Sequence, residues 1–226
     1  MEQPVSIYDK LLELPLFQGH SREDLTSILS KIKVDFRNFR KGQVLAAQDD
    51  PCQNFIFLMD GEVTLQRISP NKSLTFTEQF AAPNAFGIET TFGMRQNFSH
   101  TITAATDVRT LVVSKHNIIN YLFSYEVFRY NMLNYLTTRI QRSNQLLWTP
   151  ESDNITKNFI RLCKCNFTYL GGQKQIEGGM VSLAGMMDET RIHVSNMLNE
   201  LEKRGLVKLT RKRIIIPQLQ QLIQEA

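Results

Sequence analysis

Cysteine is scarce in this chain, with three in 226 residues. So few thiols exclude a disulfide-stabilised scaffold and are typical of a reduced, intracellular protein. Long apolar runs are missing as well, because stretches such as Phe55 to Met59 are far shorter than the roughly 20 residues of a membrane helix. The first residues also lack the basic patch and apolar stretch of a secretory signal. We therefore expect a soluble, cytoplasmic protein that makes no membrane contact.

Motifs for catalysis and metal binding are missing too. The sequence contains no nucleophile elbow, no phosphate-cradling glycine loop and no paired carboxylates in a plausible cleft. Cys163 and Cys165 are two residues apart on a predicted helix, so their side chains point in different directions. The four histidines are scattered. We predict that the protein is not an enzyme and that it holds no metal or cofactor.

Positive charge is concentrated near the C-terminus. The whole chain has a net charge of +4, but the stretch from Lys203 to Arg213 contains six basic residues and no acidic residue. Such a block indicates a polyanionic partner. A solvated surface with no partner is the alternative.

The spacing of apolar residues divides the chain into segments. Residues 5–33 have a helical pattern, and Ser21 with Asp24 resembles a capping box. From Val34 to Ser114 the pattern changes to short strands separated by turn residues such as Asp60-Gly61. Many short strands at close spacing predict an antiparallel barrel or sandwich.

A long helix follows the strands, and its uninterrupted part from Val127 to Trp148 would be about 33 Å long. A small barrel cannot bury a whole stripe of that length, so we predict self-association through it as a parallel coiled coil. Packing on its own domain is the alternative. Thr149-Pro150 then ends the helix. The predicted stripe consists of Phe128, Met132, Tyr135, Leu136, Arg139, Ile140, Ser143 and Leu147.

The segment after residue 180 has the pattern of two short helices joined by a turn at Asp188-Glu189. In the second helix, apolar residues recur at i, i+3, i+4 and i+7 from Val194 to Leu201, which predicts a buried stripe. The other side carries residue types that can reach base edges in the major groove. A plain helical hairpin is the alternative. The predicted DNA-contacting residues of this helix are Thr190, Arg191, Ile192, His193, Ser195, Asn196, Asn199 and Lys203.

Residues 206–216 read as two short strands around a basic turn, which we interpret as a wing. Arg211, Lys212 and Arg213 at this turn are candidates for contacts to phosphates.

Three groups of residues carry a resemblance that covers nearly the whole chain: Leu14-Pro-Leu-Phe-Gln-Gly near the start, Asp50-Pro-Cys-Gln-Asn-Phe-Ile-Phe-Leu-Met-Asp-Gly61 in the strands, and Thr190-Arg-Ile-His-Val-Ser with Leu201-Glu-Lys-Arg-Gly-Leu-Val near the end. In this order they resemble the cyclic-AMP receptor protein / fumarate–nitrate regulator (CRP/FNR) superfamily of bacterial transcription factors. The resemblance implies a homodimeric regulator that binds near-palindromic double-stranded DNA and has RNA polymerase as a further partner.

The fold class implied by the resemblance is α+β. Residues 1–114 would form a cyclic-nucleotide-binding-like antiparallel β-barrel (jelly roll) that senses an effector. Residues 115–148 would form the dimerisation helix, and residues 149–226 a winged helix-turn-helix domain.

The nucleotide pocket is where the sequence departs from the family. Pro83-Asn-Ala-Phe-Gly87 fits, but Ile88 follows the glycine and Glu89 comes one step late; the place of the phosphate-binding Arg-Ser pair is held by Phe98-Ser99. A buried phosphate needs a cation or several donors, so we do not expect cyclic AMP as the effector, whose identity stays open. The alternative is a constitutive DNA-binding regulator with a self-filled pocket, plugged by Phe98. Candidate pocket residues are Phe86, Gly87, Ile88, Glu89, Phe98, Ser99, Thr101, Ser143 and Asn144.

The helix-turn-helix departs from the family in two places. Asp188 holds the position where many members have a glycine in the turn, and Ile192 follows Arg191 where many have glutamate. Ile192 cannot accept a hydrogen bond from cytosine, and Asn196 replaces a frequent arginine. We therefore expect an operator that differs from those of the best-known members.

Overall fold

The computed structural model describes residues 7–32, 35–148 and 154–225. The chain forms two compact units. Unit 1 combines the residues up to Val63 with Phe80–Gln141, and unit 2 combines Thr64–Gln79 with the residues from Arg142 onward. The predicted helix end at Thr149-Pro150 lies outside the described residues.

Unit 1 is built on antiparallel strands, as the short-strand pattern predicts. One sheet has the strand order β1-β8-β3-β6, and β2 pairs with β7. The central strand β3 is buried along its length from Phe55 to Met59. The strands up to residue 114 are β1 (Asp35–Phe39), β2 (Val44–Ala46), β3 (Asn54–Asp60), β4 (Glu62–Ile68), β5 (Leu74–Ala81), β6 (Asn84–Phe86), β7 (Thr101–Ala104) and β8 (Val108–Ser114).

A predicted helix cap and a predicted turn are both present in unit 1. Ser21 caps α2 (Arg22–Lys31) in a capping box with Asp24, and the hydrogen bonds from Ser21 hold the pKa of the Asp24 carboxyl below its usual value. The turn after β3 needs glycine, because Gly61 has a φ of +83° and a Cβ there would lie 2.3 Å from the Asp107 carbonyl oxygen. Helix α1 (Ile7–Glu13) and a 3-10 turn (Pro15–Phe17) precede α2.

The segment 115–148 is divided, where the sequence predicts one long helix. It forms α3 (Lys115–Asn120), a 3-10 turn (Leu122–Ser124) and α4 (Glu126–Trp148). Ile118 and Phe128 are both fully buried. In one continuous helix they would point about 80° apart at 3.6 residues per turn. The break at Tyr121 lets both side chains enter the same core.

The predicted dimer stripe on α4 is wrong for its first half. Phe128 and Met132 are buried in the core of unit 1, and Tyr135 and Leu136 pack partly buried against it. The ring of Phe128 lies 5.6 Å from that of Phe17, so unit 1 supplies an apolar surface of its own for this face. The exposed apolar residues of α4 include Val127, Tyr130 and Leu133, which are not in the predicted stripe, and Ile140, which belongs to its second half.

Unit 2 contains the two-helix motif and the wing. Its sheet has the order β10-β11-β9-β5-β4, in which β5 pairs antiparallel with β9. The apolar pattern does not predict strand β9, because only one of its five residues, Ile176, is a large apolar residue. None of the described helices is long and apolar enough to cross a membrane. The remaining elements are α5 (Ile155–Asn166), β9 (Lys174–Gly178), α6 (Met180–Met186), α7 (Arg191–Lys203), β10 (Lys208–Thr210), β11 (Arg213–Ile216) and α8 (Leu219–Glu225).

Candidate nucleic-acid interface

The turn between α6 and α7 is tight and is held by the backbone. Asp188 adopts a φ of +52°, a left-handed conformation that suits glycine best and that aspartate tolerates better than most residues. The Glu189 N–H donates to the Ala184 carbonyl at 3.0 Å. Thr190 then caps α7, since its side chain accepts a hydrogen bond from the His193 N–H at 3.2 Å. The sequence therefore sets the angle between the two helices locally.

Helix α7 has one buried face and one bare face. The predicted apolar stripe is buried in the core of unit 2, with Val194 and Leu198 fully inaccessible. On the other side Ile192 is 70 % exposed, which is unusual for a β-branched apolar residue. The other predicted contact residues on this helix are also accessible: Thr190, Arg191, His193, Asn196, Asn199 and Lys203 are exposed and Ser195 is half-buried.

Two bonds fix the end of α7 against the wing. Gly205, with a φ of +74°, ends the helix, and the Leu206 N–H donates to the Leu201 carbonyl at 2.9 Å, as in a Schellman motif. The Glu202 carboxylate accepts a hydrogen bond from the Leu209 N–H at 2.7 Å. The recognition-helix candidate and the wing are thus held in one arrangement.

The wing is a two-stranded hairpin with a basic turn. β10 and β11 pair from Lys208 with Ile215 to Thr210 with Arg213, and the turn residues Arg211 and Lys212 are exposed. Arg213 is also exposed, but it forms an ion pair with Glu177 at 2.9 Å. Its charge is therefore partly compensated within the protein.

Acidic groups lie beside two other predicted contact residues. His193 Nδ1 is 3.3 Å from a Glu189 carboxylate oxygen, and Lys203 Nζ is 3.9 Å from Glu200. Lys203 and Glu200 are both largely exposed, and His193 is 65 % exposed beside a Glu189 side chain that is 25 % exposed; contacts of this kind at the surface contribute little. Side chains held this weakly can exchange their partner for a phosphate.

The predicted effector pocket has a carboxylate that is already engaged. The Glu89 carboxylate accepts a hydrogen bond from the Tyr135 hydroxyl at 2.8 Å and forms an ion pair with Arg139 at 3.1 Å. Both partners are on α4. The preceding Phe86 and Ile88 are buried. The loop and the long helix of unit 1 are therefore joined through this carboxylate.

Phe98 faces the pocket glycine. It is 92 % buried, and its ring carbon Cε1 lies 3.6 Å from the position of a Cβ at Gly87. Its backbone N–H donates to the Asp50 carbonyl at 2.9 Å. Of the described pocket candidates, these two are brought into direct proximity.

Two of the remaining pocket candidates, Ser99 and Thr101, form hydrogen bonds with residues outside the candidate set. Ser99 is exposed and bonds to His100 at 2.8 Å, while the Thr101 hydroxyl accepts from the Gln48 N–H at 3.0 Å. Ser143 and Asn144 are exposed on the part of α4 that belongs to unit 2.

The thiols and histidines do not form a metal site within the described residues, where no group of three His, Cys, Asp or Glu side chains could hold an ion. Cys163 is fully buried, and burial raises the pKa of its thiol far above the usual range. A thiol that stays protonated is a poor metal ligand.

A buried ion pair in unit 2 escaped the sequence analysis. Glu78 on β5 and Lys174 on β9 are 2 % and 1 % exposed, and their charged atoms are 3.0 Å apart. Glu78 also accepts a hydrogen bond from the Thr168 N–H at 2.8 Å. The signal in the sequence is an acid within an alternating apolar series, because Leu74, Phe76, Glu78 and Phe80 all occupy the same face of β5.

Comparison with known proteins agrees with this architecture. Residues 36–125 match the family profile of the cyclic nucleotide-binding domain, and residues 177–225 match that of the Crp-like helix-turn-helix domain. Together the two profiles cover more than half of the chain. No curated protein sequence matches it.

Two solved structures with TM-scores above 0.5 have a similar fold, and a third structure is similar at a lower score. The catabolite activator protein of Thermus thermophilus is similar with 19 % identity and a TM-score of 0.53, over 93 % of this chain and 97 % of that chain. The N-terminal domain of a transcriptional regulator from Streptomyces coelicolor A3(2) is 19 % identical with a TM-score of 0.52, over 65 % and 100 %. DNR from Pseudomonas aeruginosa is 21 % identical with a TM-score of 0.48, over 99 % of both chains.

The two profiles confirm the predicted α+β architecture: a cyclic-nucleotide-binding-type β domain, the helix α4, and a helix-turn-helix with wing strands. The prediction that the protein is not an enzyme is also confirmed, because this combination of domains is that of a family of transcription factors. The chain belongs to the CRP/FNR family of DNA-binding transcription regulators.

Proposed function

We propose that the protein binds DNA as a homodimer, with α7 in the major groove and the wing on the sugar–phosphate backbone. The observation that carries this proposal is the bare face of α7. The inner face of this helix is buried, whereas Ile192 on the outer face is 70 % exposed. Contact with a thymine methyl group would remove this apolar side chain from water. Arg191 beside it would pair with guanine, and Asn196 with adenine.

The wing would supply contacts that position the protein without reading the sequence. Arg211 and Lys212 are exposed at its turn, and each phosphate that they neutralise makes binding more sensitive to salt. Arg213 would contribute less, because it forms an ion pair with Glu177.

The dimer contact would use the exposed apolar face of α4. Tyr130, Leu133, Thr137 and Ile140 are exposed at alternating steps of three and four residues, the a/d spacing of a coiled coil. In the sequence the same spacing continues to Asn144, and a polar residue at an a position can fix the register of two strands. Two recognition helices would then read half-sites about 34 Å apart.

Constitutive binding is the second candidate, and the state of the pocket favours it. Phe98 is buried against Gly87, and Glu89 is engaged by Tyr135 and Arg139. The polar groups that would hold a ligand are thus satisfied by the protein. A cyclic nucleotide would have to displace these contacts without a cation at residue 98, so we do not expect cyclic AMP as the effector.

Selection of bound sequences from random duplex DNA tests the proposal. We expect purified full-length protein to enrich a near-palindromic site, and no enrichment would contradict sequence-specific binding. Repeating the selection with cyclic nucleotides and with a small-molecule extract separates the two candidates, since constitutive binding gives the same site and yield in every case. A cytoplasmic location and contact with RNA polymerase follow from this function as expectations.

A further inference from the structure

The hairpin formed by β4 and β5 is an integral part of unit 2. Strand β5 pairs with β9 over five residues, from Leu74 opposite Gly178 to Glu78 opposite Lys174. Leu74 and Phe76 are 98 % buried in the same core as the inner face of α7. Breaking a buried ion pair such as Glu78–Lys174 is strongly destabilising. The hairpin therefore shares a sheet and a core with the DNA-binding segment.

The turn of the hairpin and the turn of the wing lie at the same end of one sheet. Because the strands are antiparallel, β5 begins, β9 ends and β11 begins at this end of the sheet. The Gly178 N–H donates to the Lys212 carbonyl at 2.9 Å, and a Cβ on Gly178 would lie 2.5 Å from the Ser73 carbonyl oxygen. Leu74 and Lys212 are two strands apart, which is about 10 Å.

The tip of the hairpin is a rigid turn that exposes a lysine. The Asn71 side-chain oxygen accepts hydrogen bonds from the Ser69 hydroxyl at 2.8 Å and from the Ser73 hydroxyl at 2.7 Å. The Lys72 N–H donates to the Ser69 carbonyl at 2.8 Å, and Lys72 adopts a φ of +55°. Its side chain is exposed. A lysine in a conformation that favours glycine is a costly choice for a turn that has no other role.

The half of the hairpin next to its turn carries only positive charge, whereas the exposed acid Glu62 lies at the other end of β4. Between Val63 and Thr77 the charged residues are Arg67 and Lys72, and both are exposed. The single acid that follows, Glu78, is buried against Lys174. With Arg211 and Lys212 on the wing, both turns at this end of the sheet carry exposed cations and no acid, and Glu177 on β9 between them is engaged by Arg213 at 2.9 Å.

We propose that the tip of the β4–β5 hairpin is a second wing, and that Lys72 contacts a phosphate of the same DNA duplex as Lys212. The strands β5 and β11 that begin at these two turns are about 10 Å apart, so both turns are near enough to meet phosphates of one duplex, which follow one another about every 3.4 Å along the axis on each strand. This inference rests on the proposed function. It adds a binding residue from the first half of the chain, outside the helix-turn-helix segment.

The test measures the salt dependence of binding for Lys72→Gly in the full-length protein. Glycine removes the charge and also suits the positive φ, so the variant keeps its fold, which an unchanged melting curve checks. The proposed homodimer carries two copies of Lys72, so we expect the slope of log affinity against log salt to fall by about 1.8, which is twice the value of about 0.9 for one phosphate. Affinity for specific and for random DNA should fall by the same factor, because the contact reads no base.

Two matched variants decide the outcome. Lys72→Arg keeps the charge and should keep the slope, and Lys41→Ala removes one exposed charge from a turn of unit 1 and should leave the slope unchanged. An unchanged slope for Lys72→Gly, or an equal fall for Lys41→Ala, overturns the second wing. If Lys212→Ala still lowers the slope in that case, the proposed function stands. Absence of any DNA binding by the wild type would overturn both.

Discussion

At the scale of single residues, the turn of the helix-turn-helix depends on Asp188. Its φ of +52° would cost most L-residues about 1–2 kcal/mol, and a β-branched side chain is the least suited to it. We expect Asp188→Val to lower the free energy of unfolding by about this amount, and Asp188→Gly to keep it within about 1 kcal/mol of the wild type. Urea unfolding followed by circular dichroism measures both. Equal loss in the two variants would show that the backbone conformation is not the cause.

Ile192 offers a test of base reading by one side chain. Ile192 is exposed on α7 and apolar, so it cannot form a hydrogen bond with a base. A glutamate at this position could accept a hydrogen bond from the cytosine amino group. In the proposed complex, Ile192→Glu should move the preference at one base position of each half-site from thymine to cytosine, with a discrimination of about 1–3 kcal/mol. Sequence selection with the variant measures this.

A control for Ile192 is Glu200→Gln, at an exposed position of the same helix that is not one of the predicted contact residues and that accepts an ion pair from Lys203. It should leave the selected sequence unchanged. If Ile192→Glu also selects the wild-type site, the side chain makes no base contact.

At the scale of elements, the Glu78–Lys174 pair determines whether the hairpin stays on the sheet. Either single variant, Glu78→Gln or Lys174→Met, leaves one buried charge without its partner, which costs about 3–5 kcal/mol. The double variant leaves no buried charge, so its loss should be much smaller than the sum of the two. Thermal or urea unfolding of the three variants gives the coupling energy. Losses that simply add would mean that the two side chains are not coupled.

The sequence predicts some elements well because their information is local. The capping box at Ser21, the turn at Gly61 and the buried stripe of α7 each depend on residues within one or two turns of chain. β9 could not be predicted, because its pairing with β5 joins residues about a hundred positions apart and only Ile176 marks it as a strand. The same holds for the Glu78–Lys174 pair.

The site is predictable to a similar extent. The bare face of α7 follows from helical periodicity, which places Ile192 on the side opposite the buried stripe, and the structure has this side chain exposed. The dimer-contact face of α4 is not predictable in this way, because periodicity identifies an apolar stripe on a helix but not the surface against which the stripe packs. Phe128 and Met132 continue the core of unit 1, and the exposed series beginning at Tyr130 is mixed with polar residues that mask it in the sequence.

At the scale of the whole molecule, the proposed dimer couples α4 to DNA recognition. Leu133 is 58 % exposed at the centre of the exposed apolar series, and a charge there would be buried and unpaired in a two-stranded contact. We expect Leu133→Asp to shift the protein from dimer to monomer in sedimentation velocity at micromolar concentration. Asn134→Asp adds the same charge at the next position, off the series, and should leave the dimer intact.

Loss of the dimer should then appear on DNA in a particular way. A monomer carries one recognition helix, so Leu133→Asp should bind a full palindrome no better than a half-site, while Asn134→Asp retains the difference. The contacts of each α7 are unchanged by the substitution, so the base preference within a half-site should stay the same. A wild-type protein that sediments as a monomer and yet prefers the full palindrome would mean that the two copies meet through a surface other than α4.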